Sequence, residues 1–199
     1  MQEKNPETMT TFSEIILASQ SPRRADILKK HGVDFSVYIP QVNEKNDGEN
    51  LRDLPRINAV LKASAAADIF PDKVIIGADT VIFFENKLLG KPADEADAFN
   101  MLKKLSGKKH EVISGCAVIC RSKNINYSFR CSSEVVFKNF SDETIRDYMR
   151  KVHVADKAGS YAIQEHGDMI IEHFSGSLEN IIGLPGDELI KFLRDSALI

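Results

Sequence analysis

A chain of 199 residues, 43% hydrophobic and 28% charged, can bury one substantial core, and a formal net charge of -3 offers no basic footprint for an extended nucleic acid. The most apolar window, residues 74–84, is too short to span a bilayer and is interrupted by Asp79. Neither argument excludes a small anion bound locally.

Residues 1–13 are polar, carry Glu3 and Glu7, and lack the basic start and apolar run of a signal peptide, so they read as a flexible tail. A single two-lobed, cytoplasmic domain is expected over residues 14–199. Residues 14–18 then form a short apolar strand that stops at Ser19-Gln20-Ser21 and restarts as a helix from Pro22 to about His31. Pro22 suits the first helical turn and Ser21 its N-cap. Arg23 and Arg24 are the oddity, because the positive end of a helix dipole disfavours cations there. An anion at this turn would reverse that sign, whereas alone the pair reads as a solvated helix start. Residues 35–39 alternate as a strand, and 41–50 are loop, with Glu44 an isolated acid. A helix is expected over 54–70, with Leu54, Ile57, Val60, Leu61 and alanines at helical spacing and Lys62 among them.

Residues 73–84 form the clearest buried strand, and Asp79 inside it must be paired, hydrogen-bonded or metal-bound. The small residues Gly77 and Ala78 suggest room for a ligand beside the backbone. Pro92 is expected to open a helix from Ala93 to Leu105, which puts Lys91 at another helix start. Two long strands, 110–121 and 125–137, read as a hairpin. Cys116 and Cys120 share a face of the first, and with Cys131 they read as reduced thiols, two of them core. Ser141 caps a helix to about Val152. Residues 156–164 read as the wall of a site, 169–174 as a last strand, 176–183 as a tight connection, and 185–198 as an amphipathic helix with Leu189, Ile190 and Leu193 inward. His110 and His166 read as structural.

Several of these segments, in order, resemble the Maf family of nucleoside triphosphate pyrophosphatases. They are Ala18-Ser19-Gln20-Ser21-Pro22-Arg23-Arg24, Gly77-Ala78-Asp79-Thr80-Val81, Gly90-Lys91-Pro92, Leu105-Ser106-Gly107 with His110, Asp156-Lys157-Ala158-Gly159 and Gly183-Leu184-Pro185. The resemblance implies an α/β fold in which a long mixed β-sheet with flanking helices forms two lobes around a cleft, like inosine triphosphatases, often as a homodimer. It also implies cleavage of a triphosphate between its α and β phosphates with a divalent cation, Mg²⁺ or Mn²⁺. At matching positions Asp79 is the implied proton acceptor, while Arg23, Thr80 and Gln164 bear on substrate choice. Glu44, Lys62 and Lys91 match polar positions of the same cleft, so Asp79, Glu44 and Lys91 form the expected catalytic set.

The chemistry accords with that set. Arg23, Arg24, Lys62 and Lys91, with the Ser19 hydroxyl, are the expected cradle for phosphates, and Glu44 and Asp79 could hold the metal. The run Tyr161-Ala162-Ile163-Gln164 resembles the branch acting on dTTP and UTP, because the branch preferring 7-methyl-GTP usually has glutamate in place of Gln164. Asn43, His153-Val154 and Ala162 depart from the family pattern, and Asn43 weakens the metal assignment. A non-enzymatic nucleotide-binding regulator of septum formation and a nucleotidyltransferase are the rival readings, and fold alone does not decide between them.

Overall fold

Four consecutive apolar residues, Ile15–Ala18, form the wholly buried strand β1 of the computed structural model, which describes residues 14–199. The tail expected over 1–13 lies outside the described residues. Pro22–Lys30 is α1, with Ser21 at its N-cap and Ile27 and Leu28 buried. The strand expected over 35–39 contracts to Ser36–Val37, β2, which pairs parallel to β1. A 3-10 turn, Leu51–Asp53, leads into α2, Leu54–Ile69. Val74–Phe84 is β3, followed by β4, Lys87–Leu89.

Helix α3 runs Glu95–Leu105 and starts later than Pro92 suggests, because Asp94 is its N-cap and accepts a hydrogen bond from the Asp97 N–H at 2.8 Å. A carboxylate that satisfies an orphan helix donor sets the boundary more firmly than a proline, which can only tolerate it. Lys91 therefore lies ahead of the helix and not in its first turn. Lys109–Cys120 and Ile125–Phe137 are β5 and β6 of the expected hairpin. Asp142–Lys151 is α4, capped by Ser141, and Ile171–Ser175 is β7. Residues 176–183 are more than a connection. They contain α5, Leu178–Ile182, capped by the Ser177 hydroxyl, and α6, Gly186–Asp195, follows.

The sheet order is β2-β1-β3-β5-β6-β7, with β4 also on β3; β1 is parallel to β2 and β3, and the remaining pairs are antiparallel. Alternation along β3 divides the core. Val74, Ile76 and Ala78 pack with α1 and with Leu189, Ile190 and Leu193 of α6. Ile75, on the other face, packs with Ala59, Ala63, Ala66 and Ala67 of α2. Further along, Ile82 and Phe84 join Leu102 and Leu105 of α3 and Ile145 and Tyr148 of α4. Cys116 and Cys120 are buried, and burial pushes the Cys116 thiol up to about 12. Among the described residues no helix is long and apolar enough to cross a membrane.

The face that α2 lays on the sheet is made of small side chains, so its backbone comes unusually close. A Cβ on Gly77 would sit 2.2 Å from the Ala59 carbonyl oxygen, and one on Gly115 would sit 2.2 Å from the Arg56 nitrogen. The space beside Gly77 is thus filled by a helix and does not receive a ligand, which corrects the expectation from sequence.

His110 is 4% exposed and hydrogen-bonds through Nε2 to the Tyr161 hydroxyl at 2.7 Å. Burial lowers its pKa from 6.5 to about 4. The unfolded chain binds this proton near pH 6.5 and the folded chain only near 4, so the stability conferred by neutral His110 is complete above pH 6.5 and is lost as pH falls toward 4. Urea unfolding should show a loss of about 2 kcal/mol between pH 6.5 and 4.5 that is absent in His110→Gln. Equal slopes in both proteins would contradict it.

Candidate active site

Asp79 and Thr80 are neighbours in β3, so their side chains leave on opposite faces of the sheet. Asp79, 8% exposed, turns toward α2, where Lys62 Nζ donates to Oδ1 at 3.0 Å and Asn58 Nδ2 donates to Oδ2 at 3.2 Å. Asn58 and Lys62 are four residues apart and share one side of α2. The close approach at Gly77 and Gly115 brings both within reach of the strand. Lys62 Nζ also lies 3.0 Å from Glu44 Oε1, so two carboxylates meet on one ammonium.

Thr80 turns the other way. Its hydroxyl accepts from Arg24 Nη2 at 3.2 Å and lies 3.1 Å from the Gly183 carbonyl and 2.8 Å from Ser114 Oγ. Ser114 Oγ in turn donates to the Asn180 carbonyl. Arg24 further donates through Nε to the Gly183 carbonyl at 2.9 Å and through Nη1 to Ser19 Oγ at 2.8 Å and the Ala78 carbonyl at 3.0 Å. Four of its five N–H groups are therefore committed to neutral oxygens of the turn after β1, of β3 and of the turn after α5. Loss of water lowers the Arg24 pKa, and Asp79 and Glu44 oppose that shift from a distance. Arg24 ties the floor of the site together and keeps one N–H in hand, which is a more structural position than a phosphate clamp.

Arg23 reaches across to Asp156, with Nη1 3.2 Å from Oδ2. Asp156 also binds Lys157 Nζ at 2.9 Å, and the buried Lys157 lies 3.5 Å from Glu165. Burial acts to raise the Asp156 carboxyl, but the bonds from Lys157 and Arg23 outweigh it and hold the group below the usual range. Lys91 and Gln164 are exposed.

These groups face one cleft of about 900 Å³ whose lining includes Ser19, Arg23, Arg24, Glu44, Lys62, Asp79, Thr80, Lys91 and Gln164. That volume suits a nucleotide-sized ligand. Six cations and three carboxylates line it, in a chain whose net charge is -3, so positive charge is concentrated here. Sequence reading missed Asn58, Ser114 and Asn180. The one available signal for Asn58 was its spacing from Lys62.

The sheet, with helices on both its faces, defines a mixed α/β fold whose cleft concentrates positive charge. The structure of the Staphylococcus aureus Ham1 protein has the same fold, with a TM-score of 0.52 at 17% identity over 92% of this chain and 98% of that one. The family described as Maf-like protein matches residues 14–196, and the chain belongs to the Maf family. A dTTP/UTP pyrophosphatase of Akkermansia muciniphila is 44% identical over 181 residues, 90% of this chain and 95% of the relative. One of Bacillus cereus is 39% identical over 184 residues, 92% of this chain and 90% of the relative.

Proposed function

We propose that this chain hydrolyses dTTP and UTP to the nucleoside monophosphate and pyrophosphate. The observation that carries the reading is Asp79, a nearly buried carboxylate fixed by Lys62 and Asn58 inside a cleft where cations outnumber acids. In the reaction water forms a bond to the α phosphorus, the bond from that phosphorus to the α,β-bridging oxygen breaks, and Asp79 takes the water's proton. Each Asp79 oxygen accepts one bond from the protein and so retains a lone pair for that task. Arg23 and Lys91 bind phosphate oxygens, and Gln164 meets the base edge.

Glu44 and Asp79 present oxygens that converge on the Lys62 ammonium, and this pair fits a hard divalent cation, which takes one or two carboxylates and completes its shell with phosphates and water. When bound, Mg²⁺ or Mn²⁺ neutralises phosphate charge and lowers the pKa of water. A second grouping, His31, Glu179 and Asp187, lies outside the cleft, and its Glu179 oxygens are taken by Lys30 at 2.7 Å and His31 at 2.8 Å. The reading includes one two-lobed domain over residues 14–199, a cytoplasmic setting and a homodimer.

Pyrophosphate release measured across a panel of triphosphates tests this. dTTP and UTP should lead, with CTP poorer because its N3 carries no proton for the Gln164 carbonyl to accept. Gln164→Glu should reduce both leading activities by about 10-fold or more, since a carboxylate cannot donate to the pyrimidine carbonyl and repels its oxygen. Preference for 7-methyl-GTP in the unaltered protein would overturn the substrate assignment.

A further inference from the structure

We infer that Asn58 is the positioning residue that holds Asp79 and the loop bearing Glu44 in register with each other. Residues 41–48 have no helix or strand of their own, and 43–50 are exposed, so the core does not fix this loop. Asn58, 3% exposed, grips it by a paired contact: its Oδ1 accepts from the Lys45 N–H at 2.8 Å and its Nδ2 donates to the Lys45 carbonyl at 2.9 Å. The same Nδ2 donates its second proton to Asp79 Oδ2 at 3.2 Å.

The orientation of the amide follows from its partners. A backbone N–H can only donate, so the oxygen of Asn58 must face Lys45 N, and the nitrogen is left for the Lys45 carbonyl and the Asp79 carboxylate. One side chain thus joins the residue next to Glu44 to the proposed proton acceptor. Lys62, one turn later, bridges Glu44 and Asp79 by charge, which fixes how near they are but not how each carboxylate is turned. The directed bonds of the amide supply that orientation, and reacting groups need it more than they need proximity alone. An aspartate at position 58 would present an oxygen to Asp79 and to the Lys45 carbonyl, so only the neutral amide serves all three contacts.

The kinetic part of this inference rests on the pyrophosphatase reading, and the structural part does not. The test uses Asn58→Ala and Asn58→Leu in the full chain, followed by melting temperature, steady-state kinetics and hydrogen exchange at the Lys45 amide. In either variant that folds, exchange at Lys45 should speed up about 10-fold or more, kcat should fall about 10-fold, and the melting temperature should stay within about 3 °C. Added to Asp79→Asn, the same substitution should cost no further activity, because the two act as a unit. Unchanged exchange at Lys45 overturns the inference. Faster exchange with unchanged kcat also overturns it, leaving Asn58 as a loop anchor only, as do losses that multiply with Asp79→Asn. Should the unaltered protein release no pyrophosphate from any triphosphate, the reaction reading fails and Lys45 exchange alone decides the role of Asn58.

Discussion

Asp79→Asn should lower turnover by about 100-fold or more in a protein that remains folded. The substitution preserves size and still offers an oxygen to Asn58 or Lys62, but it removes both the base and the negative charge. Lys62 does not become an unpaired buried cation, since Glu44 remains 3.0 Å away. The expected stability cost is therefore about 1 kcal/mol, well below what stranding a buried charge would cause. Steady-state kinetics with dTTP or UTP, beside a melting curve, separate the two quantities. Near-normal kcat in a folded Asp79→Asn protein would show that the proton is accepted elsewhere.

Gly77→Ala is the second large effect, and it touches no chemical group. Its new methyl would lie 2.2 Å from the Ala59 carbonyl oxygen and 2.9 Å from the Ala63 side chain, so α2 must lift from the sheet. Backbone of a helix cannot yield as a flexible side chain does, and overpacking of this kind costs about 3 kcal/mol or more. For a chain of this size that corresponds to a fall in melting temperature of about 6–12 °C. Activity should fall as well, because α2 carries Lys62 and Asn58. A Gly77→Ala protein with unchanged melting temperature and kcat would mean that α2 is free to shift without consequence.

The order of strands and helices could be read from the sequence where the signals are local: the Ser21-Pro22 helix start, the long apolar run of β3, and the hairpin of β5 and β6. Asp79 was recognisable because a carboxylate in such a run demands a partner. Its partners were not. Apolar spacing points to Leu54, Ile57, Val60, Leu61 and the alanines of α2; the structure buries Leu54, Ala59, Ala63, Ala66 and Ala67 together with Pro55 and Asn58, and leaves Ile57, Val60 and Leu61 half-buried. Spacing does not reveal that these small side chains meet glycines of the sheet at close approach, which is what brings Asn58 and Lys62 to the strand. Helix α5 escaped for a different reason: five residues are too few to display a helical period. The arginine pair shows a third limit, since sequence placed both cations at one turn, but only the fold shows that Arg24 is largely committed to backbone and hydroxyl oxygens while Arg23 is not.

Arg23 enters the cleft already engaged by Asp156, so an anion that recruits it performs an exchange and does not capture a free charge. Lys157 remains on Asp156 throughout, and the carboxylate released by that exchange is never stranded. Dissolved salt screens the contact that breaks as well as the one that forms, and the two effects oppose each other. Recognition through Arg23 should accordingly vary less with ionic strength than recognition through Lys91, whose charge is exposed.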